Sequence, residues 1–134
     1  MEVADAGTGT NKGTITISTG DSNSYGMKGG SSSVLDNQGT IVVKEGYGMY
    51  STGGTSIMDN SGTVRYYGTG TIFEVAGGSG TNTGLITSYP ASGTQTQNSI
   101  VGMKVTKGGD IVNEASGEII IGKGKGMVAD GDNG

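Results

Sequence analysis

The chain lacks cysteine, histidine and tryptophan altogether, and it has a single proline. Without cysteine there can be no disulfide framework and no thiolate metal site. Histidine and cysteine, which many catalytic sites use, are absent, and the basic residues form no cluster. We therefore expect no catalytic site. The sequence also predicts no cofactor and no bound metal.

Charge of either sign is sparse: 12 acidic and 8 basic residues give a net charge of −4. A nucleic-acid-binding protein usually carries a basic face, so no nucleic-acid partner is expected. The longest apolar runs, such as Ile41-Val42-Val43, fall far short of the ~18 residues that indicate a transmembrane helix. No charged-then-apolar signal segment opens the chain. We therefore expect no membrane insertion of this segment.

Glycine is abundant, with 29 among 134 residues, which is typical of low complexity unless a period is present. A period is present, because the phrase Asn-x-Gly recurs at spacings of 26, 23 and 22 residues, and 31 residues further on Asn113 opens the longer form Asn113-Glu114-Ala115-Ser116-Gly117. Repeats of ~20–50 residues mark stacked architectures. The five units start at Asn11, Asn37, Asn60, Asn82 and Asn113.

Each unit reads as three short strands. The first strand is rich in β-branched residues with a period of two, as in Thr40-Ile41-Val42-Val43. A Gly-Met pair follows, as in Gly48-Met49, with Thr71-Ile72 as the expected substitute in the third unit. An apolar pair such as Ile57-Met58 comes near the end of the unit.

Three strands and three turns in ~22 residues predict one rung of a solenoid. We predict an all-β fold: a right-handed parallel β-helix of about five rungs in a single domain, 1–134. Like side chains should stack in columns, with Ile41, Val64 and Ile86 on one axis. Glycine should supply positive-φ turns. The five repeat asparagines should form an amide ladder at one corner.

The last residues, Asp132-Asn133-Gly134, repeat the junctions Asp36-Asn37 and Asp59-Asn60. We therefore expect a sixth unit to begin at the end of this chain. We expect the chain to be a fragment of a longer repeat array, or a unit that stacks end to end with other copies.

Two phrases, Asn23-Ser24-Tyr25-Gly26-Met27 and Asn98-Ser99-Ile100-Val101-Gly102-Met103, together with the recurring Asn-x-Gly-Thr-Ile, resemble repeats in passenger regions of fusobacterial-type (type V) autotransporter adhesins. The resemblance covers about residues 11–134. It implies a secreted, outer-membrane-anchored cell-surface protein whose long β-helix takes part in host-cell or interbacterial adhesion. The partners it implies are surface glycans or proteins.

The fourth unit carries an insertion over residues 88–99. Insertions in solenoids become loops on one face, which is often the binding face. The side chains of this loop best suited to contact a ligand are Tyr89, Gln95 and Gln97. The alternative is a tolerated loop without a function.

Aromatic residues gather in the second and third units and could bind a glycan or a protein. The alternative is a core and turn role, with Tyr66 inward by its alternation. These residues are Tyr47, Tyr50, Tyr66, Tyr67 and Phe73.

Two further patterns are weaker. Asp36 and Asp59 occupy equivalent positions in adjacent units, as a pair of catalytic carboxylates would require, but a turn-capping role fits better. The stretch 76–82 is similar to the calcium-binding Gly-Gly-x-Gly-x-Asp repeat, yet Asn82 stands in place of the aspartate.

The function predicted from the sequence is that of a rigid stalk that presents loops for adhesion. A self-assembling β-solenoid filament subunit is the alternative, and a carbohydrate-active β-helix enzyme is a further one.

Deleting residues 89–97 should leave the stability nearly unchanged, because a solvent-exposed loop contributes little to the stacked core. Urea or thermal unfolding measures this directly. A deletion variant that fails to fold would contradict the loop interpretation.

Overall fold

The computed structural model of the chain describes residues 1–18, 20–89 and 100–131, and every regular element in these ranges is a β-strand. No helix within them could cross a membrane. The strands are β1 (Glu2–Val3), β2 (Thr8–Asn11), β3 (Thr14–Ile17), β4 (Tyr25–Gly29), β5 (Val34–Asn37), β6 (Thr40–Val43), β7 (Tyr47–Ser51), β8 (Ile57–Asn60), β9 (Thr63–Tyr66), β10 (Thr71–Ala76), β11 (Ser79–Asn82), β12 (Leu85–Ser88), β13 (Ile100–Thr106), β14 (Asp110–Asn113), β15 (Glu118–Ile120) and β16 (Gly124–Ala129).

The strands of the described residues form three parallel sheets. Sheet A has the order β1-β4-β7-β10-β13-β16, sheet B β14-β11-β8-β5-β2 and sheet C β15-β12-β9-β6-β3. The chain visits sheet B, then C, then A in every turn, and each strand pairs with the strand one turn away. The predicted parallel β-helix of about five rungs is confirmed.

Like residues stack in register. Ile41 pairs with Val64, and Val64 pairs with Ile86, so the predicted column in sheet C is confirmed. All three side chains are fully buried. In sheet A, the column of methionines includes Phe73, which pairs with Met49 on one side. The substitute for Gly-Met in the third unit is therefore Ile72-Phe73, one residue later than the predicted Thr71-Ile72.

The Gly-Met pair interrupts the alternation of sheet A. In β7, Gly48 and Met49 are both buried, while Tyr47 and Tyr50 on either side are half-buried on the outer surface. A Cβ at Gly48 would overlap the side chain of Val64 and the carbonyl oxygen of Ile72. Glycine here lets the strand turn two consecutive residues inward, against the core of sheet C.

Glycine has a different role at each of two corners. Between sheets A and B, the turns contain positive-φ residues, as the sequence predicts, among them Gly53, Gly54, Gly77 and Gly78. At the Asn-x-Gly corner between sheets B and C, the glycines have no positive φ. A Cβ at Gly62 would instead collide with the backbone of the rung below. This corner therefore needs glycine for close stacking of the chain on itself.

The repeat asparagines form a continuous ladder at the same corner. Asn11 Nδ2 donates to Asn37 Oδ1 over 2.8 Å, and the next three steps, to Asn60, Asn82 and Asn113, each measure 2.7 Å. The side chains of Asn37, Asn60 and Asn82 are buried. Because a buried amide without a partner is costly, each rung depends on its neighbours to satisfy its asparagine.

We expect Asn60→Asp to lower the free energy of unfolding by about 2–4 kcal/mol at pH 7, because a buried carboxylate cannot donate to Asn82 Oδ1. Burial raises the pKa of such a carboxyl above its ordinary value near 4. The loss should therefore grow as the pH rises above about 4, and shrink below it, where the protonated acid can donate again. Urea unfolding at several pH values measures the effect.

The matched control is Asn23→Asp, at an exposed position outside the ladder. Surface substitutions of this kind change stability by about 0.5 kcal/mol or less. Equal losses in both variants would show that the ladder contributes nothing specific.

Candidate binding face

The connections between sheets C and A, which we call the loop corner, vary most in length. By the strand bounds these intervals are 18–24, 44–46, 67–70, 89–99 and 121–123, of which the structure describes all but residues 19 and 90–99. The Asn-x-Gly corner, by contrast, uses two residues in four of its five turns. In solenoids, loops of variable length collect on one face, which is often the binding face. The loop corner and the adjoining outer surface of sheet A are therefore the first place to look for a site.

Three tyrosines pack together on this outer surface. The rings of Tyr25 and Tyr47, on adjacent rungs, are stacked with centroids 5.4 Å apart and planes within 10°. Tyr50 leans against both, at 5.2 Å and 4.9 Å. All three side chains are half-buried. With Lys28 and Glu74 beside them, we call this surface the tyrosine face.

Charged side chains of both signs run down the tyrosine face. Lys28, Tyr50, Glu74 and Lys104 are consecutive register partners in sheet A. The Lys28 ammonium lies 5.2 Å from the centre of the Tyr25 ring and 3.3 Å from the Glu2 carboxylate. The face is therefore mixed in charge.

Burial raises the pKa of the phenol groups of Tyr47 and Tyr50, and the charge of Glu74 adds to the effect. Burial also raises the pKa of Glu74, while Lys104 opposes the shift. The two phenols therefore stay neutral hydrogen-bonding groups at neutral pH.

Two shallow depressions flank the tyrosines. One is lined by Met1, Glu2, Asn23, Tyr25 and Lys28. The other opens at the loop corner and is lined by Ser22, Glu45, Gly46, Tyr47, Tyr66, Thr69, Gly70 and Thr71. Each places hydrogen-bonding groups next to an aromatic ring.

A second aromatic pair lies at the loop corner. Tyr67 and Tyr89, the first residues after β9 and β12, stack with centroids 5.4 Å apart. Each side chain is 40% exposed. Tyr89 was predicted to contact a ligand, and the structure places it at the start of the insertion. Gln95 and Gln97 lie outside the described residues.

The predicted aromatic cluster divides between surface and core. Tyr66 and Phe73 are buried in the core, and Tyr66 is inward as its alternation predicts. The Tyr66 hydroxyl donates to the carbonyl oxygen of Gly46 over 2.8 Å, which ties the core to the loop corner. Burial, with the charge of Glu45, raises the pKa of Tyr66 to about 12.

Tyr25 was missed by the sequence analysis. Its signal was available, since Tyr25-Gly26-Met27 and Tyr47-Gly48-Met49 share the phrase Tyr-Gly-Met. Residues that align in a solenoid repeat stack on one another, so the shared phrase alone could have predicted the pair.

The carboxylates Asp36 and Asp59 are register partners on the outer surface of sheet B, a different face. Burial raises the pKa of Asp59, a hydrogen bond to Thr81 opposes this, and the charge of Asp36 raises it further. In place of capping the backbone amides of the turn, Asp36 accepts a hydrogen bond from the side-chain amide of Gln38, a residue of that turn. The turn amides donate to main-chain oxygens one rung below, as Gly62 does to Asn37.

Within the described ranges, no three acidic, histidine or cysteine residues are grouped to hold a metal ion.

Residues 1–117 match the family model described as the BigA third pectate lyase-like domain, and the chain belongs to this family. No curated protein matches the chain, and no solved structure does. The family match supports the part of the resemblance that concerns a β-solenoid domain of an autotransporter-like adhesin. A fusobacterial type stays a prediction.

Tyr66→Phe should cost about 1 kcal/mol at pH 7, the usual net contribution of one hydrogen bond, because it removes the bond to Gly46. The raised pKa of Tyr66 has a second consequence. Its stabilising effect is complete below pH 10, the ordinary value, and is lost as the pH rises through about 12. The variant should therefore lose less stability than the parent between pH 10 and 12.

Chemical unfolding across this pH range tests both parts. The control is Tyr67→Phe, at the exposed neighbouring position, which should change stability by less than about 0.5 kcal/mol. A Tyr66→Phe profile that parallels the parent at every pH would contradict the account.

Proposed function

We propose that the chain is a rigid passenger segment of a surface-exposed, outer-membrane-anchored autotransporter adhesin. It serves as a stalk and presents the loop corner and the tyrosine face for host-cell or interbacterial adhesion. The observation that carries the proposal is the in-register three-sheet stack in a chain that belongs to a BigA domain family. BigA itself is an autotransporter-like adhesin.

The geometry suits a stalk. Every rung adds about 4.8 Å along the solenoid axis, so five rungs extend the core by about 20–25 Å. Each rung is held to the next by three sheets and the asparagine ladder. A solenoid held together in this way resists bending. It can therefore keep a binding surface at a fixed distance from the cell, as an adhesin requires.

We infer that the segment is not catalytic. The chain contains no histidine or cysteine, and the paired carboxylates Asp36 and Asp59 lie on sheet B, away from the tyrosine face and the depressions beside it. Partners of the segment are surface glycans or proteins. Binding by such polar surfaces gains strength from multivalency when many copies are displayed together.

Labelling of intact bacteria that express the full gene product tests this role. An antibody raised against residues 1–134 should label unpermeabilised cells, and added protease should remove the label. Cells that produce the same protein without this segment are the control for antibody specificity. Labelling that appears only after permeabilisation would overturn the proposal.

A further inference from the structure

We propose, resting on the adhesive role above, that the tyrosine face binds a neutral oligosaccharide. The sugar rings would lie against Tyr25, Tyr47 and Tyr50, and the hydroxyl groups would bond to the polar residues of the two flanking depressions. Three observations carry this assignment: a pre-organised aromatic surface, hydrogen-bonding groups on both sides of it, and a balanced charge.

The aromatic surface is already in place. Each of the three rings contacts the other two, with centroids 4.9–5.4 Å apart, and the side chains are half-buried. Tyrosine offers a large amphipathic contact at low cost in conformational entropy, and mutual packing lowers that cost further. A ligand with apolar faces can therefore bind without first ordering the site.

The depressions supply donors and acceptors next to the rings. Asn23 and Lys28 lie beside Tyr25, and Ser22 and Thr69 lie beside Tyr47. Amide and hydroxyl groups both donate and accept, and the ammonium donates. A pyranose ring combines apolar C–H faces with hydroxyl groups at its rim, so it matches a site that combines aromatic and polar groups.

The charge pattern selects a neutral ligand. Lys28 pairs with Glu2 at 3.3 Å and Lys104 pairs with Asp130 at 3.6 Å, and Glu74 lies between the two lysines in the register. An anionic polymer would be favoured by an excess of positive charge. The whole chain has a net charge of −4, which opposes an acidic glycan at longer range.

The test titrates the purified full chain with neutral tetrasaccharides built from glucose, mannose, N-acetylglucosamine and N-acetyllactosamine units. A heparin tetrasaccharide is the anionic comparison. The chain has no tryptophan and six tyrosines, three of which form the site, so a change in its intrinsic fluorescence detects binding. Two-dimensional NMR locates the perturbed residues in the unmodified protein.

At least one neutral tetrasaccharide should bind, with the largest shifts at Tyr25, Tyr47 and Tyr50. Tyr50→Ala should weaken binding about tenfold, as expected for loss of an aromatic contact. Ile57→Ala, on the outer surface of sheet B and 42% exposed, should bind like the parent. Thermal unfolding confirms that each variant is folded.

Three results would overturn the assignment: no binding of any neutral sugar to the parent chain, binding of heparin alone, or shifts confined to sheets B and C. Should Tyr50→Ala fail to fold, the NMR map of the parent decides the question by itself. Surface labelling of cells is independent of this outcome. A labelled adhesin that binds no neutral sugar would keep the proposed function and lose only this ligand.

Discussion

A parallel solenoid must place each rung about 4.8 Å from the next, and this spacing governs the whole molecule. It brings identical side chains into contact, so the asparagines bond to one another and the Met column packs on Phe73. It also forbids a Cβ where backbones meet, which explains the glycines of the Asn-x-Gly corner. A high glycine content suggests disorder by composition alone, but at the Asn-x-Gly corner glycine is a requirement of the stacking.

The stacking of equivalent residues could be predicted from the sequence because the repeat shows which residues are equivalent. Asn37 and Asn60 stand at the same place in two units, and residues that align must stack. Equivalent residues were harder to predict where a unit departs from the repeat. The Gly-Met substitute was placed one residue early because Ile72-Phe73 shares no letter with Gly48-Met49. The reason for glycine at the Asn-x-Gly corner was not predicted either, since a sequence does not show which backbone segments approach each other.

The candidate site was predicted only in part. Tyr47 and Tyr50 were recognised as aromatic residues close in sequence, but Tyr25, a rung away, completes their cluster. Asp36 and Asp59 were correctly placed at equivalent positions, yet the backbone amides of the turns bond to the preceding rung, and Asp36 bonds to its turn through the side chain of Gln38. Which outer side chains meet depends on register between rungs and on where the loops emerge. Repetition thus builds the stacked core and the Tyr25–Tyr47 pair, whereas Tyr50, which is the register partner of Lys28, and the loop corner lie where the units differ.

The most direct test of the stacking account is hydrogen exchange of the asparagine side-chain amides, followed by NMR. The account predicts that the Nδ2 protons of Asn37, Asn60 and Asn82 exchange only on global unfolding, as slowly as the backbone amides of the core strands. Asn23, exposed and outside the ladder, should exchange at the rate of free solvent-exposed amides. Fast exchange at all four positions would contradict the claim that inter-rung stacking holds the chain together.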